Sequence, residues 1–370
     1  MRPLALPMLV YVAACGGAAL GEPPPCPPSG FEAHPRHAEY LQRLEAACRA
    51  VRAPGCVVTL DRAGEAPWAG SVGWANLSDA TPLCVDTPLR VGSVSKPVVA
   101  ALTMKLVEEG ALGLEDTLAQ RVRRLEGKIP SADRITVEHL LGHRSGIRNP
   151  ESQDLFAQTD YFDRPASMVD WSLERRFEQY VYGRPLLFEP GTSQRYSNPG
   201  YDLLGWVIEA AAGASLEAVL QSRVATPLGL TSMSFERRDD PAIPPGYTEL
   251  GDGQLLDVTV TDKANVNAFS PSGGLVSTAG DVRRFMRSLF AGRLVSPASL
   301  AVLSRGEGNN RQGLFALELP GPVQALGHQG ALVGQSTWAL FVPEKDLVLV
   351  FSSTMSGSSQ DLAALAPFLD

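Results

Sequence analysis

Lysine is scarce in this chain. Only five of its 370 residues are lysine (Lys96, Lys105, Lys128, Lys263 and Lys345), so arginine supplies nearly all of the 32 basic residues. A lysine inside a motif is therefore less easily a chance neighbour. Positive charge is short overall: the formal net charge is −8, which argues against the basic face of a nucleic-acid binder. Long apolar runs are missing beyond the N-terminus. The early run Leu4–Ala14 has the length of a signal-peptide core and is too short to span a bilayer. No G-x-S-x-G is present, which excludes the usual nucleophile elbow of α/β-hydrolases. His139 and His143 stand four apart, but the His-Glu-x-x-His pattern is absent, so both read as structural. The charged fraction of 19% and hydrophobic fraction of 44% fit a globular chain and not a disordered one.

Cysteine is rare, and all five occurrences (Cys15, Cys26, Cys48, Cys56, Cys84) lie in the first quarter. The apolar run ends in Val12-Ala13-Ala14-Cys15, which resembles a bacterial lipobox with cleavage before a lipidated cysteine. The expected organisation is a lipoprotein-type signal over 1–14, a proline-rich tether over 15–33 and a catalytic domain over 34–370. Simple secretion, with cleavage near Ala19–Gly21, is the alternative. Both readings imply export, with no export as the remaining alternative, and a membrane would be reached only through lipid on Cys15. Glu22–Pro28 reads as a stiff, extended spacer. The four remaining cysteines suit disulfides in an oxidising compartment, with three connectivities open. Cys48–Cys56 with Cys26–Cys84 is preferred, because Cys48 ends a helix that turns directly into a strand at Cys56.

Periodicity places a helix over His34–Val51 and strands over Cys56–Leu60, Pro67–Trp74 and Leu89–Val91. A helix begins at Ser93 or just after it and runs to about Glu109, with Val98, Val99, Leu102 and Leu106 as its buried stripe. From about 110 to 265 the pattern turns helical, with helices over Val137–Leu141, Met168–Tyr180 and Gly200–Ala212. Thr278–Asp281 reads as a capping box opening a helix over Val282–Leu289. Strands return at Ser336–Val342 and Asp346–Phe351 around the turn Pro343–Asp346, and Gln360–Phe368 closes the chain as a helix. The fold class is α+β: an antiparallel sheet covered by helices, with a mainly helical insertion.

Ser93-Val94-Ser95-Lys96 carries the first chemistry. Residues three apart on a helix share a face, so Ser93 and Lys96 can meet. Serine is a poor nucleophile until a base takes its proton, and a buried lysine can be that base. The helix N-terminus favours developing negative charge on the serine oxygen. Tyr196-Ser197-Asn198 adds a phenol that can relay a proton and an amide that can hold a substrate amide. His328-Gln329-Gly330 adds a glycine strand edge that can admit a substrate backbone.

At these residues the sequence resembles the serine β-lactamase and penicillin-binding-protein superfamily, on its class C β-lactamase-related branch. That branch includes D-alanyl-D-alanine carboxypeptidases, D-aminopeptidases and esterases. The matching segments are Leu89–Lys96 (LRVGSVSK), Ile135–Ile147 (ITVEHLLGHRSGI), Phe188–Gly205 (FEPGTSQRYSNPGYDLLG), Ser272–Asp281 (SGGLVSTAGD) and Gly327–Gly330 (GHQG). The resemblance implies that Ser93 is acylated, Lys96 is its base partner and Tyr196 shuttles the proton and activates water. Asn198, His328, Gln329, Gly330 and Ala331 would bind substrate, and the N–H groups of Ser93 and Ala331 would form the oxyanion hole. No metal or organic cofactor is implied.

One departure bears on substrate. The third motif of class C β-lactamases begins with lysine and has threonine second, where this chain has His328 and Gln329. Neutral imidazole holds a carboxylate less firmly near pH 7 than lysine does. The expected function is therefore an exported serine hydrolase cleaving an amide or ester of a small-molecule or peptide substrate, cell-wall peptide among them. It is D-alanyl-D-alanine carboxypeptidase/esterase-like. A β-lactamase, or a penicillin-binding-type module with slow or no turnover, are the alternatives. Specificity would lie in the loops Asn149–Arg184 and Arg237–Val266.

Overall fold

The computed structural model describes residues 22–158, 172–237, 243–250, 253–259, 270–332, 334–356 and 361–370. The expected signal segment and Cys15 lie outside them, as do parts of the loops Asn149–Arg184 and Arg237–Val266.

The strands, in chain order, are β1 (Gly55–Arg62), β2 (Trp68–Asn76), β3 (Thr81–Pro82), β4 (Leu89–Arg90), β5 (Ser234–Phe235), β6 (Tyr247–Glu249), β7 (Leu255–Asp257), β8 (Leu275–Ser277), β9 (Phe315–Leu319), β10 (Val323–Ala331), β11 (Ser336–Val342) and β12 (Leu347–Ser353). The main sheet has the order β3-β2-β1-β12-β11-β10-β9 and is antiparallel between all neighbours. Strands from opposite ends of the chain thus meet at its centre, where Cys56 pairs with Ser353 and Arg62 with Leu347.

Strand alternation sorts the apolar side chains onto two faces. Val57, Ala339, Val348 and Val350 join the larger core. Cys56, Val58, Leu60, Leu340, Leu349 and Phe351 join the smaller one. Because both faces are covered, β12 reads as an unbroken apolar run and not as an alternating one. The helix His37–Ala50 covers the smaller core with Tyr40, Leu44, Ala47 and Cys48, whose spacing makes one stripe. The C-terminal Leu365 and Phe368 pack beside them. The helix Ala279–Phe290 covers the opposite face with Val282, Phe285, Met286 and Leu289.

The helix Ser95–Glu108 is apolar almost all round, with Val98, Val99, Ala100, Ala101, Leu102, Met104 and Leu106 buried. The sequence pattern points to a single stripe; the helix instead lies between sheet and helical region and is covered on all sides. Its start also differs from expectation. Gly92–Val94 forms a 3-10 turn and the α-helix begins at Ser95.

One strand boundary moves for a local reason and one cap for a distant one. Asp346 takes φ +39° and closes the 3-10 turn, so β12 starts one residue later than expected. Thr278 does cap its helix by accepting from the Asp281 N–H, and that helix starts at Ala279. The carboxylate of Asp281 accepts instead from the Ser232 N–H and hydroxyl. Thr278 N–H donates to Ser232 Oγ, so the expected reciprocal box is replaced by a link between segments.

Both preferred disulfides are present: Cys48–Cys56 and Cys26–Cys84, each with Cα atoms 5.7 Å apart. Cys26 therefore fixes the proline-rich segment to the domain, and any free spacer precedes it. Among the described residues no single helix is long and apolar enough to cross a membrane.

Candidate active site

The sequence Val91-Gly92-Ser93 makes a turn that only glycine fits. Gly92 sits at φ +53°, and a Cβ there would lie 2.8 Å from Ala331 N. Ser93 follows in the 3-10 turn that feeds the helix Ser95–Glu108. The second hydroxyl, Ser95, is structural: its Oγ donates to Gly92 C=O at 2.7 Å and accepts from Leu275 N–H at 3.1 Å.

Three residues later the chain places Lys96 against Ser93. Lys96 Nζ donates to Ser93 Oγ at 3.0 Å, to Asn198 Oδ1 at 2.8 Å and to Ser272 C=O at 2.6 Å. Lys96 is fully buried, and its amine lies 4.8 Å from the Tyr196 ring centroid and 5.7 Å from that of Tyr201. Burial lowers its pKa to about 7; the carboxylates of Asp202 and Glu151 hold it up against that, and Arg176 pushes it down.

Tyr196 donates from its phenol to Ser93 Oγ at 2.9 Å. Burial raises its pKa, so the phenol stays protonated near neutral pH. It lies just ahead of the helix Asn198–Ala212, which Ser197 caps by accepting from Gly200 N–H. Asn198 is the first residue of that helix, so its amide faces Lys96 from the helix start.

His143 stands behind the tyrosine. Its ring centroid lies 4.6 Å from Tyr196 and 5.0 Å from Tyr201, and its Nδ1 accepts from Ser197 N–H at 3.2 Å. Burial holds it well below the usual histidine range, so it is a neutral packing wall. His139 serves elsewhere, making with Thr136 a reciprocal cap on the helix Val137–Leu141.

The far wall is the end of β10. β9 pairs with β10 only as far as Gly327, opposite Phe315. From His328 to Ala331 the ladder continues with β11 alone, so the other edge of β10 meets the serine turn. A Cβ on Gly330 would lie 1.8 Å from Val91 O and 2.9 Å from Ser93 N. The backbones of Ser93 and Ala331 converge there.

His328 is buried, with its ring 4.3 Å from Phe315 and 6.3 Å from Tyr196. Its Nδ1 faces Gln329 C=O at 2.5 Å and must donate, since a carbonyl can only accept. Burial, then the nearby charge of Lys96, pushes its pKa down to about 3. His328 is therefore a neutral imidazole at physiological pH. Gln329 is half-buried beside it.

A second layer lies behind the catalytic motifs, part of it inside the segments Phe188–Gly205 and Ser272–Asp281. Glu151, Arg176 and Asp202 form a buried ion cluster behind Lys96, and Ser272 supplies a backbone carbonyl. Asp202 carries a readable signal: a carboxylate inside the run Tyr201-Asp202-Leu203-Leu204. Arg176 and Glu151 carry none, being ordinary charges in a polar stretch.

A serine hydrogen-bonded to both a buried lysine and a half-buried tyrosine, at the junction of an antiparallel sheet and a helical region, defines a class of serine hydrolase. The chain belongs to the β-lactamase family, whose model, described as Beta-lactamase, matches residues 41–369. It is 28% identical over 332 residues to Esterase EstB of Burkholderia gladioli, covering 80% of this chain and 81% of that one. It is 27% identical over 283 residues to Lovastatin esterase of Penicillium rubens, covering 68% of this chain and 64% of that enzyme. The crystal structure of a D-stereospecific amidohydrolase from Streptomyces sp. superposes with a TM-score of 0.74 at 26% identity, over 90% of this chain and 98% of that one.

Proposed function

We propose that this hydrolase is exported and cleaves an ester or amide through an acyl-enzyme on Ser93, with Lys96 as base and Tyr196 as proton shuttle. The observation that carries this is the pair of hydrogen bonds converging on Ser93 Oγ, at 3.0 Å from Lys96 and 2.9 Å from Tyr196. Neutral Lys96 takes the serine proton as Oγ attacks the acyl carbon. The N–H groups of Ser93 and Ala331 receive the oxyanion. Tyr196 gives its proton to the leaving group and is reloaded from Lys96. Water then attacks the acyl-enzyme and passes its proton back by the same route.

An ester or amide without a carboxylate beside the scissile bond is the favoured substrate. His328 stands where a lysine would hold that carboxylate, and it is neutral, with its ring tilted against Phe315. The D-alanyl-D-alanine carboxypeptidase and β-lactamase readings both need that anion held. The relatives named as esterases and the neighbour named as an amidohydrolase support cleavage of an ester or amide. Export is supported by two disulfides, which persist in oxidising compartments.

Fluorophosphonate labelling read by intact mass tests the nucleophile. Wild type is expected to gain one adduct and Ser93→Ala none. Then kcat/KM is compared for a p-nitrophenyl ester, a D-alanyl-D-alanine peptide and a cephalosporin. The ester is expected to lead by at least about 100-fold, the cost of roughly one unmade ionic hydrogen bond. Equal labelling of the alanine variant removes Ser93 from its role, and a leading carboxylate substrate removes the ester preference.

A further inference from the structure

Behind Lys96 lies a charge cluster that the acyl-transfer steps do not touch. Arg176 pairs with Glu151, its Nε donating to Oε1 at 2.9 Å, and also pairs with Asp202. Arg176 and Asp202 are fully buried, and the Glu151 side chain is 9% exposed. Buried ion pairs are a weak source of stability, so three charges kept in a core call for a second use.

Each carboxylate leads back to Lys96 through a different intermediary. Asp202 Oδ1 accepts from Ser272 N–H at 3.0 Å, and Ser272 C=O accepts from Lys96 Nζ at 2.6 Å. Glu151 Oε2 accepts from Asn198 Nδ2 at 3.5 Å, and Asn198 Oδ1 accepts from Lys96 Nζ at 2.8 Å. Two of the three acceptors around the amine are thus each held from behind by one carboxylate of the cluster. The three residues come from three separate helices, Pro150–Gln153, Leu173–Tyr180 and Asn198–Ala212.

We propose that Glu151, Arg176 and Asp202 are positioning residues that aim Lys96 at Ser93 and set the pH at which it acts as a base. This rests on the reading of Lys96 as the base. The other titratable groups facing Lys96 among the described residues are Tyr196, Tyr201, His143 and His328. Burial keeps both phenols protonated and both imidazoles neutral. Among the described residues, the charge that Lys96 feels therefore comes from the cluster: two carboxyl groups and one guanidinium, a net single negative charge when both carboxyls are ionised. Asp202 and Glu151 favour the ammonium and Arg176 opposes it.

The test is the pH dependence of fluorophosphonate labelling at Ser93, which needs no known substrate. Labelling rises with pH as Lys96 loses its proton. Asp202→Asn keeps an oxygen for Ser272 N–H but removes a negative charge, so the acid limb moves down by about one pH unit. Glu151→Gln moves it the same way, at a less buried position. Adding Arg176→Gln to Asp202→Asn restores one net negative charge and brings the limb back at least halfway to wild type. A merely structural cluster would change melting temperature and rate without moving the limb. A normal wild-type limb that stays in place in Asp202→Asn and Glu151→Gln overturns the inference alone. A wild-type rate flat between about pH 5 and 9 overturns the reading of Lys96 beneath it as well.

Discussion

Tyr196 and Lys96 both touch Ser93, yet their environments push their proton affinities apart. Burial disfavours the charged form of each, raising the phenol and lowering the amine to about 7. The separation assigns roles: the amine accepts and the phenol donates. Tyr196→Phe keeps the ring against His143 and removes only the donor. Its kcat on an ester should fall by about 10²–10⁴-fold while Ser93 still labels. A near-wild-type kcat would leave Tyr196 as packing alone. Residue roles are most legible in the sequence where contacts are local. Ser93 and Lys96 are three residues apart, so their meeting follows from helical geometry. Glu151, Arg176 and Asp202 meet only because three helices converge, and two of them look like ordinary surface charges.

The elements that make the site are the serine turn and the end of β10, and glycine decides how closely they approach. Gly330→Ala would put a methyl group 1.8 Å from the Val91 carbonyl, where the obstacle is backbone and cannot swing aside. The strand must retreat and carry the Ala331 N–H away from Ser93. Labelling should slow by at least tenfold, and stability should drop by about 1–3 kcal/mol as in overpacked cores. Wild-type labelling by this variant would show that the close approach is dispensable. Most elements are readable from periodicity and turn chemistry, and the errors lie at boundaries. Asp346 ends the hairpin turn, Gly92–Val94 tightens into a 3-10 turn, and Thr278 finds Ser232 and not its own helix for the second half of its cap. The last depends on a partner 46 residues away, which no local pattern contains.

Across the whole protein, the helical region and the sheet enclose ionisable groups that an unfolded chain would expose. Buried neutral His143 and His328 have folded-state pKa values below the unfolded value of about 6.5. Below that pH the unfolded state binds protons that the folded state refuses, so stability falls with falling pH. The window runs from about 6.5 down to about 3 for His328, with a slope of up to about 1.4 kcal/mol per pH unit per histidine. Urea unfolding at pH 7 and pH 5 checks this; stability that holds or rises at pH 5 would show that the imidazoles are not buried neutral. Residue order alone specifies most strands and helices and the Ser-Lys, Tyr-Ser-Asn and His-Gln-Gly motifs, because each is written within a few residues, whereas it leaves three pairings open for the four cysteines and the folded chain selects one. Folding in three dimensions makes His328 a desolvated, uncharged ring against Phe315 and backs Lys96 with a net negative cluster. Charge state depends on how much water is excluded and which distant groups close in, and neither quantity exists until the chain has folded.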